Sequence, residues 1–362
     1  MVTPDLDDIN AWQYDLPEHL IASRPAARRD DSRLMVVRRT SGSIEHCRIR
    51  DLPSLLSRND RLIFNNTKVL PARLFGFRTS TGGKWEGLYL DESPDGHWRI
   101  TGQTRGRLLV GETLTLVRAD ATPSAKDVSA EPFELKLVSR CDDGSWLASL
   151  NRNQPTLELL QDYGTLPLPP YIGRKVADQA DQDRYQTIFA SAPGAIAAPT
   201  AGLHFTPELL TSCQQAGQTI SHVTLHVGIG TFRPVNTSRL SEHKMHSEWC
   251  HLPDTVADEI HATKARGGKV VAVGTTSVRT LEAAAHALGC IAGWQGTTEL
   301  FIKPGYEFQV VDQLLTNFHL PGSTLIVLVA ALAGYELVME AYRQAVEAEY
   351  RFYSYGDAML IL

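Results

Sequence analysis

The chain has 362 residues, 43% of them hydrophobic, and a formal net charge of −6. That length suits one large domain plus a smaller one, and the acidic balance argues against a protein that coats nucleic acid by overall electrostatics. The five cysteines (Cys47, Cys141, Cys213, Cys250, Cys290) lie far apart with no C-x-x-C, so neither a disulfide framework nor a cysteine zinc site is expected, and a reducing cytoplasm fits.

The N-terminal stretch "MVTPDLDDINAWQYDLPEHL" carries acids where a signal peptide needs a basic start and an apolar run, so secretion is not expected. Between residues 24 and 50 eight arginines face only Asp30, Asp31 and Glu45, a pattern open to two readings: a phosphate-tracking patch or an ordinary solvated surface. "SRLMVVRR" and "DRLIFNNTK" read as short strands. From about Leu74 to Leu150 the texture changes to period-2 alternation with turn residues every 8 to 12 positions, as in "ETLTLVRAD" and "PFELKLVSRCDDGSWLASL". This predicts a small all-β module, a barrel, inserted over 74–150 into a larger domain formed by 1–73 and 151–362.

Beyond residue 152 helices and strands alternate. "TPELLTSCQQAG" reads as a helix capped by Thr206 and stopped by Gly217, "ISHVTLHVGIG" as a strand, "PDTVADEIHATKARGG" as a helix, and "KVVAVG" as a buried strand that feeds directly into the helix of "TTSVRTLEAAAHALG". This is α/β organisation, with mixed strand directions possible. The most apolar run, "STLIVLVAALAG" (323–334), is well short of the ~18–20 residues that span a bilayer and reads as a core helix, so no membrane association is expected.

Four segments join small or hydroxylated residues to predicted element ends, where ligand sites of α/β domains gather. They are "PTAGLHF" (199–205), "HVGIGTFRPV" (226–235), "GTTSVRT" (274–280) and "TNFHLPGST" (316–324). In "GTTSVRT" a helix N-terminus with Thr275, Thr276 and Ser277 can hold a phosphate or a carboxylate, although plain N-capping explains the same residues. "HVGIGTFRPV" superficially resembles the glycine loop of methyltransferases, but Pro234 blocks direct continuation as a helix. "HKMHSEW" offers His243, His246 and Glu248 as metal ligands, yet H-x-x-H lacks the i, i+4 spacing of a helical zinc pair, and hydrogen-bonded histidines are the preferred reading.

The blocks "YDLPEHLIASRP", "NNTKVLPAR", "LPLPPYI", "GAIAAPTAGLHFT", "HVGIGTFRPV", "HKMHSE", "GTTSVRTLE", "LFIKPGYEF", "LLTNFHLPGSTL" and "YRFYSYGDAMLI" occur in one order from about residue 13 to 362. Together they resemble the S-adenosylmethionine:tRNA ribosyltransferase-isomerase family of queuosine biosynthesis. The resemblance implies an α/β main domain of unusual topology with an inserted small all-β barrel domain. It also implies transfer and isomerisation of the ribosyl part of S-adenosylmethionine onto 7-aminomethyl-7-deazaguanine in the tRNA wobble position. Adenine and methionine would leave and epoxyqueuosine-tRNA would result, with S-adenosylmethionine as co-substrate and no metal or redox cofactor; apart from the resemblance, a monomer in the cytoplasm is expected. Asn66 stands where the family's block carries Asp, which puts any role for a carboxylate there in doubt, and the barrel matches only loosely.

That chemistry asks for a base to remove a C5′ proton acidified by the sulfonium, and neutral imidazole suits the task. The candidates are His204, His226 and His319, each with a structural alternative as a hydrogen-bonded histidine. Phe205, Phe232 and Phe318 could face the sulfonium or stack on adenine, or pack in the core. Arg279 and Arg233 could grip the methionine carboxylate or a tRNA phosphate. Arg73, Thr200, Gly228, Gly230, Thr231, Thr275, Thr276, Ser277 and Asn317 complete the expected substrate-binding set.

Overall fold

The computed structural model describes residues 4–120, 131–174, 176–228, 230 and 237–362. The chain forms two compact units, one comprising Met1–Lys68, Pro170–Gly173 and Arg184–Leu362, the other Val69–Pro169 and Arg174–Asp183.

The larger unit is built on a nine-stranded mixed sheet. In spatial order its strands are Trp294–Thr298, Glu248–Leu252, Thr219–Leu225, Arg61–Asn65, Val270–Val273, Gln313–Asn317, Ala358–Ile361, Arg33–Arg38 and Ser43–Arg48. The four neighbouring strands 219–225, 61–65, 270–273 and 313–317 run parallel, so their carboxyl ends share one edge. The outer strands pair antiparallel on one side, and on the other 358–361 returns antiparallel to 313–317.

The central strands are apolar on both sides because helices cover both faces. Along 61–65, Ile63 faces a core shared with Val278 and Leu281 of helix Thr275–Leu288 and Ile326 and Val329 of helix Thr324–Ala333. Its neighbours Leu62 and Phe64 face the opposite core with Phe205 and with Leu209 of helix Pro207–Gln215. The apolar 323–334 run is thus a ten-residue core helix whose start is capped by the Ser323 hydroxyl accepting from the Ile326 N–H. Among the described residues no single helix is long and apolar enough to cross a membrane, although that helix and the following one, Tyr335–Glu347, form a strongly bent apolar pair.

The smaller unit holds a closed antiparallel barrel of strands 73–78, 84–92, 98–104, 146–150, 134–140 and 113–116, closed by the pairing of Gly76 with Leu116 and of Arg78 with Leu114. The segment 74–150 lies within it, and helix Thr156–Tyr163 adds Leu159, Leu160 and Tyr163 to the same core. Gly87 and Gly102 oppose one another in register under the Trp85 indole. An added Cβ at Gly102 would lie 2.6 Å from Trp85 Nε1, so the ring fits only because neither residue has a side chain.

The arginines of 24–50 are largely spoken for inside the larger unit. Arg28 pairs with Asp30, Arg33 with Asp357, Arg38 with Glu45 and Arg50 with Asp31. Arg29 donates to the Leu203 and Arg184 carbonyls, and Arg48 to that of Asp31. Arg28 and Arg50 nevertheless keep exposed side chains, so the stretch combines local ion pairs with an exposed basic surface.

Candidate active site

The shared carboxyl edge of the four parallel strands opens into a cavity with ≈ 760 Å³ of empty space, its mouth and adjoining solvent included. Three of the four strand ends supply the wall, while the fourth, that of strand 61–65, does not reach the lining. Strand 61–65 leads to Asn66, whose Oδ1 accepts from the Thr224 hydroxyl at 2.8 Å, so the amide serves here as a neutral acceptor. Strand 219–225 leads to Val227, strand 270–273 to Gly274, Thr275 and Thr276, and strand 313–317 to Asn317, Phe318 and His319. The loop of residues 197–201 closes another side.

Gly274 makes the strand-to-helix turn with φ 87, a conformation that favours glycine. Its carbonyl receives the N–H groups of Ser277 and Val278, leaving those of Thr275 and Thr276 at the open end of a 14-residue helix. Ser277 turns away: its hydroxyl donates back to the Val273 carbonyl at 2.9 Å and is fully buried. One turn on, Arg279 forms an ion pair with Glu248, whose other oxygen accepts the Gly228 N–H at 2.9 Å. This buried pair bridges helix 275–288 to strand 248–252 and shapes the cavity wall. Gly230 lies against the His246 ring, 2.7 Å from Cγ to an added Cβ.

The three candidate histidines separate. His319 lines the cavity, with its ring nitrogen Nε2 3.0 Å from Thr316 Oγ1, and burial pushes its pKa down to about 3. His204 sits behind the wall, its Nε2 3.2 Å from Asn317 Nδ2, and burial lowers it to about 4. His226 is half-buried beside the site, stacked on Trp249 with ring centroids 5.0 Å apart and Nδ1 2.8 Å from Thr67 Oγ1; burial lowers its pKa too. All three are held neutral near pH 7 because burial disfavours the imidazolium.

Thr200 and Asn317 line the cavity as expected. Phe205 does not: it is fully buried, edge-to-face with Phe64 at 4.7 Å, so its ring belongs to the core beneath the loop. Phe318 lines the cavity, although its ring packs among Tyr342, Tyr350 and Phe352 at 5.1–5.4 Å. In the smaller unit Arg73 is ion-paired with Glu86. Thr231, Phe232 and Arg233 lie outside the described residues. Among the described residues no three His, Cys, Asp or Glu side chains converge as metal ligands, and Glu248 of "HKMHSEW" is committed to Arg279 and Gly228.

The sequence reading missed Tyr185, Tyr353 and Ser354 on the cavity wall. Tyr353 is one of two non-glycine residues with positive φ among those described (φ 74), an outlier of the kind that gathers at functional sites. The aromatic density of "YRFYSYGD" was the available signal, but it gave no way to choose among its tyrosines.

Residues 9–361 match the family described as queuosine biosynthesis protein. The chain belongs to that family. It is 46% identical to the S-adenosylmethionine:tRNA ribosyltransferase-isomerase of Symbiobacterium thermophilum, with 98% of this chain and 99% of that protein covered. It is 42% identical to the protein of the same name from Staphylococcus saprophyticus, covering 98% and 100%. Among solved structures, the S-adenosylmethionine tRNA ribosyltransferase of Thermotoga maritima is similar with a TM-score of 0.54 and 34% identity over 97% of this chain and 100% of that one.

Proposed function

We infer that this protein transfers and isomerises the ribosyl moiety of S-adenosylmethionine onto 7-aminomethyl-7-deazaguanine at the tRNA wobble position, releasing adenine and methionine and leaving epoxyqueuosine-tRNA. Identity of 42–46% along the whole chain to proteins named for this activity carries the reading. The cavity supports it, because the blocks that resemble the family, "PTAGLHF", "GTTSVRT", "TNFHLPGST" and "YRFYSYGD", all send residues to its wall.

Within that reading the sulfonium acidifies C5′–H, and His319 is the base we propose, since it is the candidate imidazole on the cavity wall. Its low pKa weakens it against solvent. Proton transfer from a bound sulfonium, however, moves a positive charge within the cavity instead of creating one, so the desolvation penalty does not count in full. Deprotonation then opens the ribose and expels adenine, the aminomethyl nitrogen is the nucleophile that joins the sugar to the base, and closure to the epoxycyclopentanediol breaks the C5′–S bond and expels methionine. The reaction balances with S-adenosylmethionine as co-substrate and no further cofactor, and a cytoplasmic monomer acting on tRNA suits it.

Incubation with S-adenosylmethionine and tRNA carrying the aminomethyl base should release adenine and methionine in step with tRNA modification. S-adenosylhomocysteine as the product would overturn the assignment in favour of methyl transfer. Light scattering of the purified protein tests the monomer.

A further inference from the structure

The cavity lining includes polar atoms that the protein leaves without partners. Asn317 is 3% exposed and Arg279 7% exposed, yet Asn317 Oδ1 and Arg279 Nε have no hydrogen bond, and Thr276 Oγ1 has none either. All three residues line the cavity, Thr276 and Arg279 from the first turns of helix 275–288 and Asn317 from the end of strand 313–317. Buried polar atoms left unmade are costly in a folded protein, so three on the lining of one cavity point to a ligand that satisfies them.

The Asn317 amide has a single workable orientation. Its nitrogen donates to the Tyr353 carbonyl at 3.1 Å and meets His204 Nε2 at 3.2 Å. Turning it over would set carbonyl against carbonyl and oxygen against the imidazole acceptor. His204 in turn is hydrogen-bonded to the Arg29 backbone, which leaves Nε2 as the acceptor in the neutral ring. Tyr353 supplies its carbonyl from a left-handed backbone whose N–H is tied to the Phe318 carbonyl at 3.1 Å. With both N–H groups spent, Asn317 offers an acceptor only. It is therefore unsuited to the paired donor and acceptor of an adenine edge, which an asparagine reads with both amide atoms. A group with donors to spare fits it.

On helix 275–288 the chemistry is the opposite. The Thr275 and Thr276 N–H groups and Arg279 Nε are donors at the positive end of a helix, while the Arg279 charge is already balanced by Glu248. Oriented dipoles with no net charge suit one carboxylate. Taking the cavity as the S-adenosylmethionine site, we propose that this part of the lining holds the amino-acid end of that substrate: the methionyl carboxylate on the helix N-terminus and Arg279 Nε, the methionyl ammonium on Asn317 Oδ1. His204 is then a positioning residue that fixes the Asn317 amide and does not touch substrate.

The test is calorimetric binding to the full chain of S-adenosylmethionine, its deamino analogue and its decarboxylated analogue. Wild type should bind each analogue at least about 10-fold more weakly than the parent, the range of one hydrogen bond to a charged group. Asn317→Leu should weaken S-adenosylmethionine to the level of the deamino analogue and leave the latter unchanged. His204→Leu should follow Asn317→Leu in part, and His204→Gln, whose carbonyl can accept the same amide proton, should restore affinity and single-turnover rate. Equal wild-type affinity for parent and deamino analogue overturns the ammonium assignment, and that comparison needs no variant to fold. Loss of single-turnover rate in His204→Gln with unchanged S-adenosylmethionine affinity overturns the positioning role and makes His204 the base. Absence of any S-adenosylmethionine binding by wild type would instead overturn the functional reading on which the proposal rests.

Discussion

Acid should unfold this protein earlier than its carboxylates alone require, and the cause should be traceable to His204 and His319. Both are buried, and burial lowers their pKa values to about 4 and about 3, from 6.5 in an accessible histidine. A depressed histidine means that the unfolded chain binds the proton first. Stability is therefore complete above pH 6.5 and falls as pH drops from 6.5 toward 4 and 3, where the folded form finally takes up the proton. At pH 5 each ring costs about 2 kcal/mol, at ~1.4 kcal/mol per pH unit below 6.5. The pair should thus remove about 4 kcal/mol between pH 7.5 and pH 5, and for a domain of this size the thermal midpoint should fall by roughly 10 °C. Scanning calorimetry at those two pH values, on wild type and on the His204→Gln and His319→Gln double variant, isolates the two rings from every other titrating group. If the midpoint of wild type drops no further than that of the variant, the histidines are not held neutral by the fold and the burial reasoning fails.

Other substitutions probe single contacts. Glu282 is fully buried on helix 275–288 and accepts from the Tyr306 hydroxyl and the N–H groups of Gln309, Val310 and Val311 at 2.9–3.1 Å; Glu282→Ala should cost roughly 3 kcal/mol or more in urea unfolding, and a loss under 1 kcal/mol would mean that the 306–311 loop is held by something else. Phe205→Leu should lower stability by about 1–3 kcal/mol yet leave S-adenosylmethionine affinity within about 2-fold, whereas a selective loss of affinity would return that ring to the ligand. Arg29→Ala should lower the thermal midpoint and leave the slope of log tRNA affinity against log salt unchanged, because its guanidinium serves the Leu203 and Arg184 carbonyls; a shallower slope would place it on a phosphate.

Much of the frame was legible because it rests on local rules. The Thr206 cap with Pro207, the Gly274 turn into "TTSVRTLE", and the alternation of Thr113–Leu116 and Glu134–Arg140 each depend on a few adjacent residues. The positions of Thr200, Thr275, Thr276, Asn317 and His319 followed from the same logic, since strand ends in α/β sheets converge on one edge. What a single chain could not disclose were partners far away in sequence. Nothing near Arg279 announces that Glu248 neutralises it, nothing in "HFTPELL" tells a core phenylalanine from a ligand phenylalanine, and the coupling of His204 to Asn317 spans 113 residues. The arginine-rich 24–50 stretch shows the same limit: several of its hydrogen-bond partners are backbone carbonyls, which carry no signature in composition.

The same distant partners bear on how the cavity would receive the cationic substrate proposed for it. A wall lined by free charges must be desolvated each time the ligand enters, and that cost offsets much of the attraction. Here the strongly charged pair on the wall is closed on itself as Arg279 and Glu248, and His319 is kept neutral by burial. In the binding mode proposed above, what meets the substrate are oriented dipoles, namely the first-turn N–H groups of helix 275–288, the Asn317 carbonyl and the Thr276 hydroxyl. Their orientation is fixed during folding by Gly274, His204 and Tyr353. Dipoles set in place beforehand need not reorganise as charge leaves the sulfonium, so the interactions that bind the substrate are not lost when the reaction begins.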